Sequence, residues 1–293
     1  MGLFDSFAER VASMSDLDFQ FDLDRYFARI GYNGERKASL DVLRALHRLH
    51  PRAIAFENLD PFAARPVSVA LPDAFAKLVA SRRGGYCFEH NTVLAHALMK
   101  LGFHIEPLAA RVLFGRPEGA ITPRTHMLLR VHVDGADWLA DVGFGSASLC
   151  APLAFAERGA QETLLEPARL TPLGDREWKL EQYDGNAWVD VYRFDDAPAQ
   201  WVDYEMANWY TSASPQSFFR ESLIVCIARE DSRAILFNDR HSERDATGQC
   251  ATVHMIGSAE ELARCLNERF NLDTTSFDMD ALFARVQGRG AIR

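Results

Sequence analysis

With 293 residues, 48% hydrophobic and 25% charged, the chain has an ordinary globular composition and enough length for two or three domains. Its formal charge of −9 speaks against general nucleic-acid or membrane-surface binding, since both need a basic face, though local arginines or helix N-termini can still hold an anionic ligand. No apolar run approaches the ~18 residues of a membrane span, and no signal-peptide core follows the start.

The opening "MGLFDS" formally fits the N-myristoylation pattern, but no polybasic segment follows to secure an anchor. Residues 3–12 read more simply as a short amphipathic lead-in. The next stretch is helical in pattern. "DLDRYFARIGYNG" places Leu23, Tyr26, Phe27 and Ile30 on one face with Gly31 as a stop. "SLDVLRALHRLHP" follows with Ser39 as N-cap and a stripe of Leu40, Leu43, Leu46 and Leu49. There His47, Arg48 and His50 suit the C-terminal dipole, and Pro51 is expected to end the helix. "LPDAFAKLVASRRGG" predicts a third helix closed by Gly84 and Gly85.

A fourth helix starts at Cys87. In "CFEHNTVLAHALMKLG" the residues Val93, Leu94, Ala97, Leu98 and Leu101 share a face, and Gly102 fits the C′ position. From about residue 103 the period changes to two. Strands are predicted at "IEPLAARVLF", "HMLLRVHV", "DWLADVGF", "EWKLEQYD" and "AWVDVYRF", with "FGRPEGAITPRT" as a loop. A further strand pair, "SLIVCIARED" and "RAILFNDR", precedes helices at "SAEELARCLNERF", with Ser258 and Glu261 in a capping-box pattern, and at "DMDALFARV".

Asp134-Gly135 signals a two-residue hairpin of type I′. That turn pairs Val133 with Ala136 and, further along, His126 with Gly143. One face then carries Met127, Leu129, Val131 and Val133 beside Ala136, Trp138, Ala140 and Val142. This face is wholly apolar, and a slip of one residue would mix it. The other face brings His126 and Asp141 into a diagonal relation, with backbones about 7–8 Å apart, a gap that an imidazole and a carboxylate can bridge. Taken alone, the pair reads more simply as a satisfied polar contact on a solvated strand.

Cys87 gives the pair a purpose. A thiol attacks as thiolate, a form favoured by a helix N-terminus and by a neighbouring imidazolium. His126 can supply the imidazolium, and Asp141 can orient it. Backbone N–H groups at the helix start can stabilise an oxyanion. Two other readings stand beside this one: an inert buried thiol, and a metal site built from Cys87, His90 and His96, which lacks a second Cys/His pair at zinc spacing. His90, three residues after Cys87, competes as base but has no orienting carboxylate except Glu89. The remaining cysteines, Cys150, Cys226, Cys250 and Cys265, look structural, and five cysteines in all, an odd number without a C-x-x-C pair, point to reduced thiols and a cytoplasmic location.

"RGGYCFEHN" resembles the R-G-G-x-C-x-E-x-N signature of the arylamine N-acetyltransferases, and "RTHMLLRV" and "LADVGFG" look like that family's histidine and aspartate segments. The order is similar too, with His126 39 residues after Cys87 and Asp141 15 further on. "RIG" at 29–31, "FENLD" at 56–60 and "NWYTSASPQSFF" at 208–219 add to the likeness, while the last seventy or so residues match only in general character.

The resemblance implies an α+β fold: an N-terminal helical domain over 1–85, a β-barrel-like domain over 86–200 and a C-terminal α/β lid over 201–293, around a cysteine-protease/transglutaminase-like core. It implies Cys87 as the acetyl-accepting nucleophile, His126 as its base and Asp141 as the orienting carboxylate. The reaction would be a ping-pong transfer from acetyl-CoA, as co-substrate and without a metal, to an arylamine, arylhydrazine or N-hydroxyarylamine. An amide synthase or a cysteine hydrolase on the same triad is the alternative. Thr125, Phe144 and Gly145 are expected to line the pocket. No P-loop marks the CoA phosphates, for which Arg82, Arg83, Arg111, Arg116 and Arg124 are available.

Overall fold

Local signals place the first helices. The computed structural model describes residues 19–288, so the "MGLFDS" motif and the amphipathic lead-in over 3–12 lie outside the described residues. Helix α1, Leu23–Ile30, starts where the Asp22 carboxylate accepts the Arg25 N–H, and it stops at Gly31 in the left-handed region. Helix α2, Leu40–Ala53, is capped by Ser39 Oγ. It does not end at Pro51, as its pattern suggests, but continues two residues further. A proline in the last turn removes only one helical bond, and burial of Pro51 and Ile54 carries the chain on. His47 and His50 are buried on this helix, and burial holds both imidazoles below their usual range. They are neutral core residues and do not serve the dipole.

The third predicted helix also differs from expectation. Helix α3, Leu59–Phe62, is a single turn; helix α4, Leu71–Phe75, runs into a π-helical turn over Ala76–Ala80 and closes at Ser81. Gly84 and Gly85 are not its stop. They lie against the segment Ala55–Glu57, and a Cβ on Gly84 would come within 2.0 Å of the Ala55 carbonyl oxygen. The double glycine thus lets two backbones touch. Helix α5, Cys87–Lys100, follows at once and is buried on nearly every side over its first three turns.

Seven antiparallel strands form the larger sheet in the order β5-β4-β3-β2-β8-β7-β6. They are β2 His104–Val112, β3 Arg124–Val133, β4 Ala136–Ala140, β5 Leu153–Ala154, β6 Ala168–Pro172, β7 Glu177–Tyr183 and β8 Trp188–Asp195. The sheet curls until β5 and β6 approach each other, giving a nearly closed barrel. The predicted hairpin is present, with Asp134 and Gly135 both at positive φ and the ladder running in register from Val133–Ala136 to Leu129–Ala140. Met127, Leu129, Val131 and Val133 pack outward on the N-terminal helices. Leu128 and Leu139 face the barrel interior with Leu108, Leu180 and Tyr192, so the second hairpin face is buried at that end, while His132 and Asp137 near the turn are exposed.

Helix α6, Trp201–Ala213, and the short helix α7, Phe218–Glu221, lead into a second antiparallel sheet, ordered β1-β9-β10-β11-β12. Its strands are β1 Phe56–Glu57, β9 Ile224–Ala228, β10 Ser232–Phe237, β11 Arg240–Asp245 and β12 Cys250–Met255. Helices α8, Ala259–Phe270, and α9, Met279–Gln287, cover one of its faces. Strand β1 comes from the N-terminal stretch, and Ala55, Leu59 and Phe62 join this third core. Packing therefore crosses the chain divisions at 85 and 200. Among the described residues no helix is long and apolar enough to cross a membrane.

Candidate active site

Cys87 is the first residue of α5. Tyr86 before it is extended, and its N–H donates to the Glu89 carboxylate at 3.0 Å, which fixes the angle at which the chain enters the helix. The thiol lies 3.6 Å from the Thr125 carbonyl, and the side chain is only 4% exposed. Gly143 packs over it so closely that a Cβ there would come within 2.8 Å of Cys87 Cα. Glu89 itself is held by Lys77 at 2.8 Å, which in turn pairs with Asp60, while Arg83 bridges Glu57 and Asp60.

His126 lies on β3 opposite Ala110, and Asp141 is the first residue after β4. His126 Nε2 donates to Asp141 Oδ2 at 2.7 Å, with both side chains buried. That bond leaves Nδ1 to receive the Cys87 thiol proton, and the ring and the thiol line the same cavity. The hairpin register aims the imidazole and carboxylate at each other, although the ladder stops at Leu129–Ala140, short of the predicted His126–Gly143 pair, and the helix start supplies the sulfur.

Asp141 is saturated. Besides His126, its Oδ2 accepts the Tyr192 hydroxyl at 3.0 Å, and its Oδ1 accepts Asn91 Nδ2 and the Gly143 N–H, each at 2.9 Å. Burial raises a carboxyl pKa, but the His126 charge and these donors outweigh it and hold Asp141 below its ordinary value. Burial likewise works against a charged His126, yet the Asp141 carboxylate, with the neighbouring thiol, raises the imidazole above its usual range. The arrangement can accept a proton from the sulfur and keep it on the ring.

Three supporting residues carry no motif of their own in a hairpin reading. Asn91 is one helical turn after Cys87 and also donates to the Met127 carbonyl, while its Oδ1 accepts the Val142 N–H. Its place in the "CFEHN" segment was the available signal. His47 Nε2 accepts the Asp141 N–H, and Tyr192 comes from β8. Nothing local pointed to either. His90 is withdrawn from competition as a base: its Nδ1 meets His50 Nε2 at 2.9 Å, and its Nε2 faces the carbonyls of Ala55 and Gly85. His96 hydrogen-bonds the Thr92 carbonyl, and among the described residues no three His, Cys, Asp or Glu side chains are grouped as a metal site.

Cys87 and His126 open into a cavity of about 550 Å³, which Thr125 and Phe144 also line. Phe56, Phe114 and Phe219 add aromatic wall, and Tyr210, Phe218 and Phe237 reach it from the C-terminal stretch. Gly145 does not line it: at φ +81° it lies behind Phe56, where a Cβ would come within 3.0 Å of that ring. Of the five arginines available from the sequence, Arg116 alone lines this cavity. Arg83 is spent on Glu57 and Asp60, and Arg82 bonds Asn271. Arg111 and Arg124 face a separate hollow of about 440 Å³, where Arg124 pairs with Asp195. Strand β11, unseen in the sequence pattern, brings Arg240 and Arg244 to the triad cavity.

A family model described as N-acetyltransferase matches residues 39–278. An arylamine N-acetyltransferase of Mycolicibacterium smegmatis is 39% identical over 257 residues, covering 86% of this chain and 92% of that protein. One from Escherichia coli is 37% identical over 250 residues, covering 85% and 88%. The solved structure of Mycobacterium marinum arylamine N-acetyltransferase in complex with CoA superposes with a TM-score of 0.86 at 34% identity, covering 91% of this chain and 99% of that one. The likeness extends through the C-terminal sheet and helices, where sequence motifs are faint. In sequence and in shape, over most of its length, the chain belongs to the arylamine N-acetyltransferase family.

Proposed function

We propose that this protein is an acetyl-CoA:arylamine N-acetyltransferase in which Cys87 carries the acetyl group between donor and amine. The observation that supports it most is the line Asp141–His126–Cys87 at the wall of an aromatic cavity. In the first half-reaction His126 takes the thiol proton, and the sulfur attacks the acetyl carbon of acetyl-CoA. The tetrahedral adduct then breaks its bond to the CoA sulfur, which leaves with the proton from the imidazolium. In the second, the nitrogen of an arylamine, arylhydrazine or N-hydroxyarylamine attacks the Cys87 thioester. His126 accepts the amine proton, the C–Sγ bond breaks, and the ion pair of thiolate and imidazolium is restored.

Asp141 stabilises the imidazolium through Nε2 in both halves. Residues of 201–293, among them Tyr210, Phe219 and Ile235, close one side of the cavity and act as the lid that keeps water from the thioester. Arg116, Arg240 and Arg244 form no salt bridge among the described residues and are the side chains assigned to the donor's phosphates. Five free thiols suit a cytoplasmic location.

Intact-mass analysis after mixing with acetyl-CoA tests the reading. The protein gains one acetyl group, Cys87→Ala does not, and an arylamine discharges it. Rapid loss of the acetyl group in buffer without amine would favour a hydrolase and sink the transferase.

A further inference from the structure

Arg233, on β10, is the largest fully buried side chain among the described residues, at 1% exposure. Its partner, Glu166, is 2% exposed and takes Arg233 in a two-point contact, Nη2 to Oε2 at 2.9 Å and Nε to Oε1 at 3.4 Å. The guanidinium also donates to two carbonyls of one loop, Gly145 at 3.3 Å and Ser148 at 2.9 Å. Taking two charges out of water costs several kcal/mol, and apolar pairs of similar size are often as stable. Stability is therefore a weak reason for this pair. What an apolar pair cannot do is bond the two carbonyls.

Those carbonyls belong to the turn that follows Asp141. Gly143 lies on Cys87, and the Phe144 ring stands edge-on to His126 at 5.0 Å and packs on Tyr192 at 5.5 Å. Gly145 and Ser148 close the turn on themselves, with the Gly145 N–H donating to Ser148 Oγ at 2.6 Å and the Ser148 N–H to the Gly145 carbonyl at 3.1 Å. Among the described residues only Arg233 ties this closed turn to another element through more than one bond. We propose that Arg233, charge-balanced by Glu166, is a positioning residue for acetyl transfer: from the C-terminal sheet it sets the turn that holds Phe144 against His126 and Gly143 over Cys87.

This rests on the acetyl-transfer reading of the site, and the experiment separates the two. The double variant Arg233→Met/Glu166→Leu removes the fork without leaving a buried charge, and Arg233→Lys keeps the charge but has one nitrogen for four acceptor contacts. Circular dichroism and thermal melting establish that each is folded. In both folded variants kcat falls about tenfold while KM for acetyl-CoA stays within about threefold, because a displaced wall costs rate rather than donor affinity. A purely structural pair would move the melting temperature and leave kcat per folded molecule unchanged; that result in either variant overturns the proposal. If the double variant does not fold, Arg233→Lys alone decides. Alkylation of Cys87 by iodoacetamide needs no acetyl donor and is read on the same proteins, with an expected slowing of about fivefold in the variants as the base loses its packing. A wild type that alkylates but never acetylates defeats the acetyl reading, and the positioning claim then stands or falls on the alkylation rates.

Discussion

The backbone N–H of Asp141 donates to Nε2 of His47 at 3.0 Å, across a sequence separation of 94 residues. At this residue the hairpin ladder has ended, its last pair being Leu129–Ala140, and a side chain of α2 replaces the strand as acceptor. The carboxylate that holds His126 is therefore anchored by its own backbone to the N-terminal helices.

His47→Ala leaves that buried N–H without a partner. We expect a loss of about 1–3 kcal/mol of stability in urea titration, together with a slower single-turnover acetylation of Cys87. His47→Gln, whose amide oxygen can accept the same N–H, recovers part of both. Equal behaviour of the Ala and Gln variants would show that the bond is not what matters.

The same histidine predicts a pH dependence. Burial lowers His47 to about 4, from the 6.5 of a free imidazole, against the pull of Asp141. Its folded pKa lies below the unfolded one, so the neutral ring's contribution is complete above pH 6.5 and is lost as pH falls towards 4. The shift amounts to about 3 kcal/mol. Stability of wild type minus that of His47→Gln should decline by this order between pH 7 and 4. A difference that stays flat across the range would refute a buried neutral His47.

Asn91 couples the helix that bears Cys87 to β3 and to the segment after β4 that bears Asp141, through Asp141, Met127 and Val142. Asn91→Ala should cost about 2–4 kcal/mol and reduce the acetylation rate by about two orders of magnitude, because three buried groups lose partners at once. Asn91→Asp should be worse, since a second carboxylate then faces Asp141 and the Met127 carbonyl. A fully active Asn91→Asp, measured by acetyl loading, contradicts this.

His90 and His126 are separable in the test tube. His126→Ala should slow Cys87 alkylation near neutral pH by about 10²-fold or more, whereas His90→Ala should lower the melting temperature and leave the alkylation rate of folded protein within about threefold. The reverse pattern would transfer the role of base to His90, despite its bonds to His50 and the backbone.

The donor's anionic end offers a further contrast. Replacing Arg116, Arg240 and Arg244 together by Gln should raise KM for acetyl-CoA about tenfold and weaken its salt dependence, since each charge contributes a screened attraction. A truncated thioester such as S-acetyl-N-acetylcysteamine, which has no phosphate, should be unaffected. An equal loss for both donors would mean that the substitutions damaged the cavity.

Much of the site is legible in the chain because it follows from short-range rules. The type I′ turn at Asp134-Gly135 sets a register, the register places His126 beside Asp141, and the glycine-led helix start at Cys87 is a local event. Where local rules misled, tertiary burial was the cause: α2 runs through Pro51, and the glycines after α4 answer to the Ala55 backbone rather than to the helix. The fifteen-residue spacing of His126 and Asp141 carries its own geometry.

Sequence alone thus pointed to the proposed reacting groups and the hairpin that aligns two of them, since turn chemistry, strand alternation and helix onset are set by neighbours in the chain. Only the tertiary structure decided what holds them in place. His47, Tyr192 and Arg233, and the arginines of β11, reach the site from segments tens of residues away. Their meeting depends on how a barrel closes and how a second sheet borrows β1, and those are outcomes of packing that no local pattern encodes.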